Sequence, residues 1–143
     1  MKQKWSSTTS FLVILFLSFA CTKNAEKENG SIAENKTEVL EAQEFKSKLS
    51  SAPDAVLVDV RTPEELASDG MIEGAINVNF KDPQFMEKIN ALGKDKTYFV
   101  YCLSGMRSAD AVEEMKKAGF NNIYTLKNGL KSWKAEGLGT IKP

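Results

Sequence analysis

The sequence predicts an α/β fold, a mostly parallel five-stranded sheet with helices on both faces, and three observations carry that expectation. Short β-like runs alternate with helical ones through the last hundred or so residues, the pattern of strand–helix–strand units. Residues 55–60 and 97–101 are nearly continuous apolar runs, as expected of strands buried on both faces. Turn and cap residues, among them Thr62-Pro63, Gly74 and Gly119, separate the runs.

Taken in order, Val39-Leu40 is a short first strand, and residues 43–49 are helical. Residues 55–60 form the second strand, after which Thr62 caps a helix with Pro63 in its first turn. Ala75-Ile76-Asn77-Val78 is a third strand. Residues 84–92 are a helix by the spacing of Phe85, Ile89 and Leu92, with Asp82 as its cap. Residues 97–101 are the fourth strand. Residues 108–118 are an amphipathic helix with Ala111, Val112 and Met115 on one face, ended by Gly119. Residues 122–125 are the last strand and 130–136 the closing helix.

The N-terminus reads differently. Lys2 and Lys4 precede the apolar run of residues 11–17, and small residues then lead to Ala20-Cys21, the layout of a secretory signal peptide. The run is shorter than the roughly 20 residues a membrane span needs. Cys21 stands where a bacterial lipoprotein carries its acylated cysteine, although Ser18 occupies a lipobox position usually held by an aliphatic residue. The expected organisation is a signal peptide over 1–20, a lipidated Cys21 and polar tether over 21–37, and a folded domain over 38–143. Such a protein is exported and held on a membrane by its lipid, facing the periplasm or the cell exterior.

Composition excludes several functions. The 143 residues carry 19 basic and 19 acidic side chains, so the net charge is zero and no global field favours nucleic acid. With no histidine in the chain, Cys-His and Ser-His nucleophilic pairs and His-containing zinc sites cannot be assembled from it. Neither a metal nor a cofactor is expected. Cys21 and Cys102 are the two cysteines; with Cys21 acylated, the domain holds one thiol and no internal disulfide.

That thiol heads Cys102-Leu103-Ser104-Gly105-Met106-Arg107-Ser108, set between a strand and a helix start. The carboxyl end of a strand is where open α/β sheets bind ligands. Backbone N–H groups of such a loop converge on a negative ligand, the helix dipole adds partial positive charge, and both favour cysteine's reactive thiolate. Gly105 supplies a backbone angle that a side chain forbids. Arg107 has two readings, a fork for an oxyanion or a brace bound to backbone carbonyls. Ser104 and Ser108 offer hydroxyls to the loop, Ser108 equally as a helix cap, while Leu103 and Met106 form an apolar rim.

These residues resemble a single-domain rhodanese. The resemblance rests on Cys102-x-x-Gly105-x-Arg107-Ser108, the segment Asp59-Val60-Arg61-Thr62-Pro63-Glu64-Glu65, the segment Gly74-Ala75-Ile76-Asn77-Val78, and Gly129 with Trp133, in register over the last hundred or so residues. It implies a rhodanese-like fold and a sulfurtransferase: Cys102 takes the outer sulfur of thiosulfate or a similar small anion, and a thiol, cyanide or a protein acceptor removes it from the resulting persulfide. It assigns Asp59 and Arg61 to scaffolding, and Trp133 reads as core. Met71 replaces a histidine common in relatives, and Asn128 stands where a second glycine often precedes Gly129, a mild change because Asn tolerates left-handed angles.

Three rivals remain open. A persulfide carrier differs from the free enzyme in its acceptor alone. A non-catalytic rhodanese-like binding module shares the fold without the chemistry. Cysteine-dependent phosphatases and arsenate reductases use a similar loop with five residues between Cys and Arg, whereas four intervene here, a cradle tighter than a phosphoryl group needs.

Overall fold

A computed structural model describes residues 36–143; the signal peptide, Cys21 and most of the expected tether lie outside the described residues. The order is β1 (Lys36–Leu40), α1 (Ala42–Ser50), β2 (Val56–Asp59), α2 (Pro63–Asp69), β3 (Ile76–Asn77), α3 (Phe85–Ala91), β4 (Thr97–Tyr101), α4 (Met106–Lys117), β5 (Asn122–Leu126) and α5 (Gly129–Ala135). The five strands form one sheet in the order β1-β5-β4-β2-β3, and every pairing is parallel. The α/β class and strand number thus agree with the sequence-based expectation.

Side chains of β4 show why a continuous apolar run makes a central strand. Tyr98 and Val100 join one core with Phe85, Ile89, Val112 and Met115, so α3 and α4 cover that face. Phe99 and Tyr101 join a second core with Phe45, Leu130 and Trp133, so α1 and α5 cover the other. Successive residues of a strand point to opposite faces, and with both faces buried no polar alternation survives. Cys102 falls on the first face, directly after the strand.

Several boundaries differ from expectation. β1 takes in Lys36 and Thr37, two residues of the expected tether, because its full length pairs with β5. β3 is two residues rather than four, an edge strand paired to β2 alone. Asp82 does not cap α3: its Oδ1 accepts from Gln84 N at 2.9 Å, fixing a turn ahead of a helix that starts at Phe85. α4 starts at Met106, two residues early, because the turn to helix is made by Gly105 at φ 94°. Ser108 is therefore no cap; it is buried inside α4, with Oγ donating to Gly105 O at 3.0 Å. α2 has the expected Thr62 cap, completed by Glu65.

Candidate active site

The site is the turn from β4 into α4, and the start of α5 shapes it. Leu130 N donates to Cys102 O at 2.8 Å and Lys131 N to Leu103 O at 3.1 Å. Helix N-termini leave their first N–H groups without internal partners, and α5 gives two of them to the loop's carbonyls. In a planar trans peptide the following N–H points opposite to the carbonyl. With two carbonyls turned to α5, the N–H groups of Leu103 and Ser104 face the other way. Gly105 N reaches Cys102 Sγ at 3.1 Å. Cys102 is 1% exposed, and its sulfur accepts this backbone N–H at the foot of the loop.

This approach of α5 demands glycine. A Cβ at Gly129, which has φ 58°, would stand 2.3 Å from Cys102 O and 2.8 Å from Leu103 O. Asn128, just before it, has φ 56°, the left-handed angle that its side chain tolerates better than most.

On the loop's helix side, Arg107 is bound by a carboxylate rather than by the backbone carbonyls of a brace. Its Nη1 donates to Glu65 Oε2 at 2.7 Å and its Nη2 to Glu65 Oε1 at 2.5 Å, a bidentate pair between α4 and α2. Glu65 is fixed in turn by the α2 cap, since Thr62 N donates to Glu65 Oε2 at 3.0 Å. The hydrogen bonds from Arg107 lower the Glu65 carboxyl from its ordinary 4.5 to about 2. Arg107 is shifted up, chiefly by its hydrogen bonds to Glu65, which outweigh the opposing effect of burial.

Asp59 and Arg61 lie behind the loop, both fully buried. Arg61 Nη2 donates to Asp59 Oδ2 at 2.7 Å and to Gly70 O at 2.6 Å, and Arg61 Nε donates to Asp59 Oδ1 at 3.0 Å. Burial works against the Arg61 charge, and Asp59 more than offsets it, so the guanidinium pKa is raised. Asp59 sits in register with Tyr101, the residue before Cys102. Asn77 Nδ2 ties the same strand end by donating to the carbonyls of Asp59 and Arg61.

Of the expected apolar rim, Met106 is 76% exposed, whereas Leu103 is half-buried against the second core. Ser104 is exposed and, with Gly105, Met106 and Asn128, lines a groove of about 350 Å³ that reaches Val39. Met71 is buried and its backbone bridges to Ile141, and Trp133 is core with its indole N–H on Gly139 O. Glu65 and Gly129 are the residues that sequence reasoning did not place at the site. The Thr62-x-x-Glu65 spacing is a capping-box signature, which marks Glu65 as fixed but not its partner.

Known proteins are similar to this chain in sequence and in fold. The chain is 30% identical over 106 residues to a sulfurtransferase of Allochromatium vinosum, covering 73% of this chain and 94% of that one. It is 37% identical over 93 residues to thiosulfate sulfurtransferase 16, chloroplastic, of Arabidopsis thaliana, covering 58% and 77% of the two chains. The crystal structure of a rhodanese-related protein from Thermoplasma volcanium superposes with a TM-score of 0.64 at 32% identity, over 74% of this chain and 99% of that one. The family model for the rhodanese-like domain matches residues 41–136, two thirds of the sequence, and on that match the chain belongs to the rhodanese-like family.

Proposed function

We propose that this protein is a sulfurtransferase that carries sulfane sulfur as a persulfide on Cys102. The observation that carries the reading is the donation of Gly105 N to Cys102 Sγ at 3.1 Å, in a loop whose first two carbonyls are bound by α5. In the first half-reaction the Cys102 thiolate attacks the outer sulfur of thiosulfate, the sulfur–sulfur bond to the sulfonate breaks, and sulfite leaves with the electron pair. In the second, a thiol as its thiolate, or cyanide, attacks the terminal sulfur and Cys102 leaves as thiolate. Charge is conserved in both steps, and no general base is called on. Preorganised backbone donors stabilise the anionic sulfur throughout.

The engagement of Arg107 with Glu65 favours this reading over a phosphatase, which needs its loop arginine on the phosphoryl oxygens. The expected result is thiocyanate formation from thiosulfate and cyanide by the parent chain, at least about a hundredfold reduced in Cys102→Ser. Turnover by the variant at the parent's rate would contradict the reading.

Export and lipidation at Cys21 are part of the same proposal and rest on the signal-like layout before Ala20-Cys21. The expected outcome is a precursor that accumulates in the presence of globomycin and in Cys21→Ala. Unchanged processing in both would contradict it.

A further inference from the structure

The chain has two arginines, Arg61 and Arg107. Arg61 is fully buried on Asp59, so Arg107 is the guanidinium at the reactive loop. Both of its Nη atoms are engaged by the two oxygens of Glu65. Glu65 cannot follow Arg107 toward a ligand without leaving Thr62 N, because one carboxylate oxygen holds both partners. Nor is the pair out in bulk water: the two side chains are 23% and 28% exposed. Lys127, which lines the groove beside the loop, is paired with Glu41 at the exposed surface.

A bidentate arginine–carboxylate pair leaves its fork occupied and its charge compensated. A dianion entering the loop therefore meets backbone donors and the helix end, with a carboxylate nearby, and gains little from Arg107. A sulfane sulfur borne on a thiol needs no such cation. Specificity is a difference between affinities, and a placed like charge is one way to create it.

We propose that Glu65 is a specificity-determining residue: by holding Arg107 in a neutral pair, it biases the loop toward persulfides of small thiols and away from dianionic donors such as thiosulfate. The inference rests on the reading of Cys102 as the sulfur carrier. With a persulfide donor RS–SH, the Cys102 thiolate attacks the outer sulfur and the sulfur–sulfur bond breaks. RS⁻ leaves with the electron pair, and Cys102 retains –S–SH.

The test is the ratio of kcat/KM for thiosulfate to that for cysteine persulfide, in the parent and in Glu65→Gln. Glutamine keeps the capping box, since its amide oxygen still accepts from Thr62 N. The ratio is expected to rise about 3- to 10-fold in Glu65→Gln, the effect of uncovering one partly buried charge. In Arg107→Gln, which leaves the carboxylate unpaired, it is expected to fall. A merely bracing role would lower both activities together and leave the ratio where it was, and that result, or a fall in Glu65→Gln, overturns the proposal. Intact-mass measurement of the parent with each donor separates the two levels. No sulfur on Cys102 from either donor sinks the carrier reading and this proposal with it; sulfur loading with an unmoved ratio sinks the role of Glu65 alone.

Discussion

Gly129 lies so close beneath Cys102 that a Cβ at position 129 would stand 2.3 Å from the Cys102 carbonyl oxygen. That closeness lets Leu130 N bind the same oxygen at 2.8 Å and turns the loop's N–H groups the other way. Gly129→Ala combines overpacking with a left-handed angle and is expected to cost about 2–4 kcal/mol in urea unfolding and to abolish most turnover. Gly137→Ala is the control, with φ 71° and nothing within 4 Å. It is expected to cost about 1 kcal/mol and to leave turnover intact.

Asn128 tests the same corner without overpacking. At φ 56°, Asn128→Gly is expected to stay within about 0.5 kcal/mol of the parent and Asn128→Val to lose about 1–2 kcal/mol. Equal stabilities for the two variants would contradict the backbone argument.

The Asp59–Arg61 pair is fully buried, so removing one partner strands a charge. Asp59→Ala is expected to destabilise by about 3–5 kcal/mol, and the double change Asp59→Leu with Arg61→Met by less than that single change. Stabilities of both variants from denaturant unfolding check this. A double variant worse than the single one would show that other bonds of Arg61, such as that to Gly70 O, matter more.

Acid should unfasten α2 from α4. The Glu65 carboxyl sits at about 2 in the folded chain against an ordinary 4.5. A lowered folded-state pKa contributes stability that is complete above the unfolded value and is lost as pH falls from about 4.5 through about 2. The stability advantage of the parent over Arg107→Met is thus expected to shrink between pH 5 and pH 2–3 in equilibrium unfolding. An advantage that stays constant across that range would contradict the pairing.

Much of this was legible in the residues, and what was not has a physical reason. β4 matches its expected span residue for residue because burial on both faces leaves a continuous apolar signal with sharp ends. The edge strand β3 is half its expected length, since its apolar run continues past the two residues that pair with β2. α4 begins early because the φ of Gly105 decides where the loop ends, and helical periodicity does not register one residue's angle. Arg107 was visible as a cation, but its partner lies 42 residues away on another helix, a relation that spacing along the chain does not encode.

The central claim is that Cys102 carries sulfur, and it is tested most directly by weighing the intact chain after incubation with thiosulfate and, separately, with cysteine persulfide, beside Cys102→Ala. One added sulfur atom, removed by cyanide, is expected on the parent and none on the variant. No addition to the parent from either donor, or equal addition to parent and variant, would contradict it.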